Sequence, residues 1–394
     1  MTIVRTATPS TARAINDRVA LDLLVQGPLT AAQLKAHTGL SRPTVADLLD
    51  RLQRAGLVTV VGESGDERRG PNARLYGIVA DRAHTAAVDV RTESVSVAVA
   101  DLTGRTVAAA DLPVPPGTPS ADAVPRTLTT LRATLRRAGV AAVHTVAVGA
   151  PGLIDPGSGQ LSATGALPAW HTDLVAALRA ELDAPVLLEN EVNLAGIAEQ
   201  RTGAAQDRDT FVLLWLGHGI GAAVILDGRL RRGASGGTGE LAFLPVPGTG
   251  RLPSPPACDG GFHDLAGSAA VCALARQHGL APGPARDAAA AEAVVRRARA
   301  AGPRGAAFLD ALAARIAIGA AAVTCVLDPG CVVLGGEVGQ AGGQDLADRV
   351  ADHLARISPL RTEVRSGTAQ GSSVLAGAIL TATDAAHRDL FGTP

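Results

Sequence analysis

Residues 41–56 read SRPTVADLLDRLQRAG, and this stretch decides the fold of the first part of the chain. Its apolar residues recur at the spacing of one buried helix face, at Val45, Leu48, Leu49 and Leu52. Ser41 precedes the run as an N-cap, and Gly56 follows it as a stop. The stretch therefore predicts an amphipathic helix with a polar first turn.

The flanking residues complete a small domain. Upstream, one apolar pattern ends at Gly27 and a second short helix follows Thr30, which is a good N-cap. Downstream, residues 57–61 and 74–78 predict two strands joined by a loop. Three helices followed by a hairpin are typical of a winged helix-turn-helix DNA-binding domain, here residues 1–78.

The first turn of the third helix carries short polar groups and one arginine, which can reach base edges and phosphates. The loop between the strands is basic and suits phosphate or minor-groove contact. We expect DNA contacts from Ser41, Arg42, Thr44, Val45, Asp47, Arg51, Arg68, Arg69 and Arg74. Asp47 would repel phosphate unless it pairs with a cytosine amino group or an arginine. The alternative is an ordinary three-helix bundle with a solvated basic loop.

The composition excludes several classes of protein. Hydrophobic residues make up 47% of the 394 residues and the net charge is −1, so the chain can form a core and is not a polycation. Aromatic residues are only 2%, which argues against recognition of single strands by base stacking. No signal peptide or clean apolar run of membrane-spanning length is present, and the cysteines are scattered. We expect a cytoplasmic protein without a membrane association.

The remaining sequence predicts an α/β body. Three antiparallel strands begin at His84, and strands then alternate with helices in the pattern of a repeated lobe. The glycine-rich turn at residues 217–221 is followed by a strand instead of a helix, so it is not a dinucleotide fingerprint. A tight glycine turn between strands can still surround a phosphate with backbone N–H groups.

Several motifs of the body occur together in one order. They are Gly149-Ala150-Pro151-Gly152-Leu153-Ile154-Asp155, Leu167-Pro168-Ala169-Trp170, Glu189-Asn190-Glu191-Val192-Asn193, Leu216-Gly217-His218-Gly219-Ile220-Gly221, Asp227-Gly228-Arg229-Leu230-Arg231-Arg232-Gly233, Gly239-Glu240-Leu241-Ala242-Phe243 and Val333-Leu334-Gly335-Gly336. This set resembles the ROK family of repressors, open reading frames and sugar kinases. The resemblance implies an actin-like (ribonuclease H-like) body of two lobes. We expect lobe 1 at residues 79–190, completed by residues 373–394, and lobe 2 at residues 191–372.

This sequence differs from the family's kinases in the two phosphate-binding turns and at the position of the general base. The first phosphate turn has Arg91 and Glu93 where the kinases have Gly and Thr, and the second has His218 where they usually have Thr. Glu191 stands at the position of the general base, and its longer stem displaces the oxygen. Phosphoryl transfer depends on positioning and charge neutralisation, so we expect no kinase activity, no catalytic residues and no cofactor.

The family's sugar and zinc sites are partly kept and partly lost. The resemblance implies effector contacts from Gly152, Asn190, Glu191, Glu240 and His263. Phe243 replaces the zinc-binding His and only Cys258 of the cysteine cluster remains, so we expect no metal. Two alternatives stay open: Cys258 and His263 could bind a metal with a carboxylate, and Asn190, Glu191 and Glu240 could be structural residues only.

These patterns predict a sequence-specific transcriptional regulator, a repressor, that binds double-stranded operator DNA as a homodimer or higher homo-oligomer. A sugar or sugar-derived effector in the cleft between the lobes would control it. The alternatives are an ATP-dependent sugar kinase with a DNA-binding head, and a regulator whose body only dimerises and docks a partner.

Overall fold

The computed structural model describes residues 9–64, 73–162, 168–247, 249–250, 252–254, 260–369 and 371–392. Within them the chain forms a small head with a three-stranded sheet and a larger body with two five-stranded sheets. A winged helix-turn-helix ahead of an α/β body is the fold class that the sequence predicts.

The caps predicted from the sequence organise the head. Thr30 Oγ1 accepts a hydrogen bond from the Gln33 N–H at 3.2 Å, and Gln33 Oε1 accepts one from the Thr30 N–H at 2.8 Å, so the second helix begins in a capping box. Gly39 ends that helix with a φ of 70°. The elements are α1 Pro9–Gln26, β1 Leu29–Thr30, α2 Ala31–Thr38, α3 Arg42–Arg54, β2 Val58–Ser64 and β3 Ala73–Ile78. β3 pairs antiparallel with both β1 and β2.

Val45 belongs to the core of the head. Its side chain is 3% exposed and lies in one hydrophobic cluster with Leu21 of α1 and Leu34 of α2. The prediction that Val45 contacts DNA is therefore wrong, because the residue lies on the buried face that makes α3 amphipathic.

The first sheet of the body has the strand order β10-β7-β4-β5-β6. Strands β4, β5 and β6 pair antiparallel, while β4, β7 and β10 are parallel. The strands in this part of the chain are β4 His84–Val90, β5 Ser94–Asp101, β6 Thr106–Pro113, β7 Thr145–Ala150, β8 Leu153–Ile154, β9 Leu161–Ser162 and β10 Val186–Asn190. Helices α4 Ser120–Arg137 and α5 Trp170–Glu181 cover one face through a valine- and leucine-rich core.

The second sheet has the order β13-β12-β11-β14-β15. Its strands are β11 Phe211–Leu216, β12 Ile220–Leu226, β13 Arg229–Arg231, β14 Cys331–Gly335 and β15 Glu363–Ser366. Its helices are α7 His263–Ala266, α8 Ser268–Gln277, α9 Ala288–Ala298, α10 Gly302–Leu327 and α11 Gly336–Ile357. The sequence predicts α7 and α8 as one helix, but Gly267 interrupts it with extended backbone. It also predicts only the second half of α11, which kinks at Gly343 (φ 59°).

The long apolar helix α10 passes the length and composition test for a membrane span. Half of its most apolar window is buried, and Phe308, Leu312 and Ile316 lie in the core that α8, α9 and α11 share. This packing is that of a core helix.

Two further helices lie between the sheets, α6 Glu191–Thr202 and α12 Ser373–Leu390. Leu194 of α6 and Ala378 of α12 share one hydrophobic cluster with Ala87 of the first sheet and Leu213 of the second. A Cβ at Gly377 would overlap the Leu194 carbonyl, so α6 and α12 are in direct backbone contact. The two sheets and this helix pair form one packed body.

The head packs on the body through the same helix α12. Leu21 and Leu24 of α1 lie in one buried cluster with Leu102, Ala386 and Phe391. The hydrophobic core of the head therefore includes residues of the body.

Candidate DNA-binding surface and effector site

The first turn of α3 presents polar groups to solvent. Ser41 Oγ accepts a hydrogen bond from the Thr44 N–H at 3.3 Å and lies 2.8 Å from Thr44 Oγ1. Ser41, Arg42, Thr44 and Asp47 are all exposed, while the apolar face of the helix is buried. This turn can therefore offer hydroxyls and a guanidinium to DNA without disturbing the core.

Arg51 is tied to another helix of the head. Its Nη2 lies 2.5 Å from Asp17 Oδ1 and its Nε 3.2 Å from Asp17 Oδ2, and this hydrogen-bonded pairing raises the pKa of Arg51. The sequence predicts Arg51 as a DNA contact, whereas the geometry gives it a role in holding α3 against α1.

The two strands β2 and β3 form the wing. Arg74 is exposed on β3, opposite Glu63 of β2 in the strand register. Arg68 and Arg69, the other arginines predicted to contact DNA from the wing, lie outside the described residues.

Three of the predicted effector residues meet where β10 passes into α6. Asn190 Oδ1 caps α6 by accepting hydrogen bonds from the Val192 and Asn193 N–H groups, at 2.9 and 3.2 Å. Its Nδ2 donates to the Gly152 carbonyl at 3.2 Å and to Glu191 Oε2 at 2.8 Å. Gly152, Asn190 and Glu191 thus form one connected polar group, which we call the candidate effector site.

Glu191 holds its proton more tightly than an ordinary glutamate. Burial raises its pKa to about 8, against the opposing effect of Arg91, and the charges of Asp89 and Glu240 add to the rise. Near neutral pH this carboxyl group is largely protonated and can donate a hydrogen bond to a ligand oxygen.

Glu240 and His263 were also predicted as effector contacts. The negative charge of Glu240 helps to raise the pKa of Glu191, although Glu240 is itself exposed. It follows Gly239, whose backbone lies against the Ala222 carbonyl. His263 begins α7 and packs against Gly267. His218, in the turn between β11 and β12, is exposed.

A buried carboxylate, Glu189, lies directly before the candidate effector site. Its Oε1 accepts hydrogen bonds from the Asn190 N–H at 3.1 Å and from Asn193 Nδ2 at 2.9 Å. Its Oε2 accepts one from Arg232 Nε at 2.6 Å. Arg232 follows β13 of the second sheet, so this ion pair joins the two sheets beside Asn190.

A second ion pair joins the sheets, but here the first sheet supplies the base and the acid lies next to the second sheet. Arg91, just after β4, contacts Asp89 at 3.1 Å and donates from Nη1 to Glu337 of α11 at 2.7 Å. Its guanidinium lies 5.6 Å from the Trp215 ring centroid. Ser372 Oγ donates to Asp89 at 3.1 Å. Asp89, Arg91, Glu337 and Ser372 are called the Arg91 cluster below.

Arg91 balances the two carboxylates of this cluster. Burial raises the pKa of Asp89, which Arg91 and Ser372 partly offset. Burial disfavours the charged form of Arg91, but the carboxylates of Asp89 and Glu337 raise its pKa above the ordinary value. A Cβ at Gly217 would overlap the Glu337 carboxylate, so Glu337 lies against the second glycine turn. The cluster therefore lies between the end of β4 and the turn at Gly217, the two segments that the resemblance compares with the phosphate turns of the family's kinases.

Sequence reasoning missed Glu189, Arg232, Glu337 and Ser372. Only Glu189 gives a local signal, since a carboxylate at the end of the apolar run Val186–Leu188 requires a partner when buried. Among the residues that the structure describes, no group of three or more His, Cys, Asp or Glu side chains is placed to hold a metal ion. Cys258 lies outside them, so the metal alternative with His263 has no described geometry.

Comparison with family profiles assigns both parts of the chain. The ROK family profile matches residues 85–384, and a MarR family profile matches residues 18–69.

Individual relatives are similar over parts of the chain. The bifunctional enzyme NanE/NanK of Brucella suis is 36% identical over 189 residues, which are 46% of this chain and 32% of that protein. The xylose repressor of Bacillus subtilis is 23% identical over 240 residues, 59% of this chain and 60% of the repressor. The chain thus spans less than two thirds of the length of these curated relatives.

A solved structure matches nearly the whole chain. The crystal structure of a ROK family transcriptional regulator, a homolog of the E. coli MLC protein, superposes with a TM-score of 0.73 at 20% identity. The match covers 94% of this chain and 96% of that one, so the two share the order of head and body.

Proposed function

Since this chain belongs to the ROK family and carries a MarR-type head, we propose that it is a sequence-specific DNA-binding transcriptional regulator acting in the cytoplasm. It represses its target genes, and a sugar-like effector bound at the candidate effector site controls it. The observation that carries this proposal is the first turn of α3, which is polar, exposed and capped by Ser41 above a buried apolar face.

The DNA-binding residues proposed are Ser41, Arg42, Thr44, Asp47, Arg68, Arg69 and Arg74. Two heads in a homodimer would read two half-sites, and the α3 helices would enter the major groove. Arg42 is the strongest candidate for a base or phosphate contact, because a guanidinium can donate two parallel hydrogen bonds.

The proposed effector is a polyol. The amide of Asn190 lies within hydrogen-bond distance of both the largely protonated carboxyl of Glu191 and the Gly152 carbonyl. Such a mixed set of donors and acceptors suits neighbouring hydroxyls, which are both donors and acceptors. The xylose repressor relative supports this class of effector.

The test is a titration of DNA affinity. Fragments selected from a genomic library by the full-length protein serve as the operator, and affinity is measured by fluorescence anisotropy at fixed salt. A panel of pentoses, hexoses, N-acetylhexosamines and their phosphates is then added. We expect sequence-specific binding that one member of the panel weakens. Binding without sequence preference would contradict the regulator, and a panel without effect would contradict the effector.

A second candidate function is an ATP-dependent sugar kinase. It is favoured by the pKa of Glu191, which at about 8 lies close to neutral pH, where a general base works best. The beta-glucoside kinase of Listeria monocytogenes, 37% identical over 100 residues, also supports it. Against it stands the Arg91 cluster, which puts ion-paired side chains beside the segments that would have to bind phosphate. Phosphorylation of a sugar by ATP that Glu191→Gln abolishes would establish the kinase. We expect no turnover.

A further inference from the structure

Helix α12 touches the Arg91 cluster at its beginning. Ser372 caps α12 by accepting a hydrogen bond from the Leu375 N–H at 3.2 Å, and the same hydroxyl donates to Asp89 at 3.1 Å. Asp89 is 2% exposed and shares Arg91 with Glu337 of the second sheet. The start of α12 is therefore attached to the ion pairs that join the two sheets.

The other end of α12 is attached to the head. His387 Nε2 lies 2.7 Å from the Leu102 carbonyl, and its ring stacks on Phe391. Arg18 of α1 donates to the carbonyls of His387 and Gly392, at 3.4 and 3.1 Å. The last turn of α12 thus receives a side chain from the first helix of the head.

Within the head, the residue before Arg18 links α1 to α3. Asp17 precedes Arg18 on α1 and holds Arg51 of α3 through two hydrogen bonds. One helical segment of α1 therefore contacts α12 through Arg18 and the recognition helix through Asp17.

Between its ends α12 is held along its length. Gly377 lies against the backbone of α6, Thr383 Oγ1 is 3.3 Å from Thr85 Oγ1, and Asp384 pairs with Arg201 of α6 at 3.1 Å. With 18 residues at about 1.5 Å each, α12 spans about 27 Å. A helix fixed in this way moves as a unit, because packed cores do not deform continuously.

We propose that α12 transmits the state of the effector site to the recognition helix, through Arg18 and the Asp17–Arg51 ion pair. This inference rests on the proposed function and describes its regulation. A ligand that changes the spacing of the sheets must alter the Arg91–Glu337 contact and with it the Asp89–Ser372 hydrogen bond. The displacement of α12 then reaches α1 and turns α3 relative to its partner in the dimer.

Coupling between two sites is reciprocal, and reciprocity supplies the test. Hydrogen–deuterium exchange of the full-length protein is compared for wild type, E337Q and R18A. E337Q should accelerate exchange in α1 and α3, and R18A should accelerate it in residues 89–94 and at the start of α12. We expect at least about a five-fold change, the lower end of ordinary coupling energies.

Matched controls separate coupling from general loosening. Glu363→Gln removes a paired carboxylate from β15, which pairs with β14, the strand directly before the helix of Glu337. Arg13→Ala removes an exposed arginine from the same helix as Arg18. Neither should affect the opposite end. R91A removes the same ion pair as E337Q from its other side and should have the same effect on α1 and α3. Exchange that changes only around each substituted residue would overturn the proposal. Because the measurement uses neither DNA nor effector, its outcome is independent of whether the protein is a regulator.

Discussion

The guanidinium of Arg91 lies 2.7 Å from a carboxylate oxygen of Glu337, although 246 residues separate them in the chain. Arg91 follows β4 of the first sheet and Glu337 is in the first turn of α11, next to the second. The Glu189–Arg232 pair joins the same two units with acid and base exchanged. Both ion pairs therefore hold the two sheets together. Asn190 and Glu191 of the candidate effector site follow directly after Glu189, so the site lies next to one of these pairs.

Arg91→Ala should destabilise the protein strongly. The variant leaves Asp89, which is 2% exposed, without its cation, and one-sided loss of a buried pair is costly. Arg91 itself is 31% exposed, so we expect about 2 kcal/mol, below the value for a fully buried pair. Urea unfolding measures the change.

The matched control is Arg105→Ala in the same sheet. Its partner Asp101 is equally buried, but Asp101 also accepts hydrogen bonds from Thr103 and from the Arg105 N–H. Arg105 is 74% exposed, so its loss should change the free energy of unfolding by about 1 kcal/mol or less. Equal effects of the two variants would contradict a special role for Arg91.

Arg232 and Arg231 form a second matched comparison. Arg232 neutralises the buried Glu189, whereas Arg231 pairs with Asp227, which is 85% exposed. Arg232→Ala should lower the free energy of unfolding by about 2 kcal/mol, and Arg231→Ala by less than about 1 kcal/mol. Thermal or urea unfolding of the two variants tests this order, which a reversal would contradict. Arg232→Lys should restore part of the loss, since the charge remains.

Glu191 should make stability fall with rising pH. Its pKa is about 8 in the folded protein, against 4.5 for an ordinary glutamate, so the folded state binds an extra proton between these pH values. Stability then declines as pH rises through this window, by at most about 1.4 kcal/mol per unit, and is level above pH 8. Below pH 4.5 both states are protonated.

The variant Glu191→Gln isolates this contribution, because glutamine does not titrate. The free energy of unfolding of the variant minus that of wild type should grow from pH 5 to pH 8. Urea unfolding at one-unit intervals measures it. A constant difference would mean that Glu191 ionises normally in the folded protein.

The sequence predicts local elements well where a cap or a periodic pattern specifies them. α3 begins after Ser41 as expected, and the first strand of the body, β4, begins at His84 as predicted. The family resemblance is confirmed by the profile match over residues 85–384. In contrast, no helix is predicted from the sequence over Trp170–Glu181, of which only Trp170 belongs to a family motif.

Long-range ion pairs could not be predicted. Arg91 is recognisable as a departure from a phosphate turn, but nothing near it in sequence points to Glu337. The ion pair of Arg51 could not be predicted either. In the sequence Arg51 is one of several arginines of a basic head, whereas in the structure it pairs with Asp17. Val45 is different: the helical period already predicts it on the buried face, which the structure confirms, and its place among the expected DNA contacts conflicts with that pattern.

Arg42→Ala should weaken operator binding. Arg42 is exposed at the start of α3, and a bidentate base contact contributes about 1–3 kcal/mol, or roughly 5–150-fold in affinity. Fluorescence anisotropy with the selected operator measures the loss. Arg54→Ala, at the far end of the same helix, serves as the control and should bind normally. Unchanged affinity of Arg42→Ala would contradict α3 as the recognition helix.

Arg51 should act through Asp17 and not through DNA directly. If so, Arg51→Ala and Asp17→Ala weaken operator binding to a similar degree, and the double variant is no weaker than either, because each removes the same ion pair. A direct phosphate contact predicts otherwise: only Arg51→Ala would lower the salt dependence of binding, by about one phosphate. The double variant Arg42→Ala, Asp17→Ala is the control. Because Arg42 should contact DNA independently of Asp17, the losses of affinity of these two substitutions should add. Additive losses for Arg51 and Asp17 would contradict the positioning role and also the last step of the proposed transmission from α12 to α3.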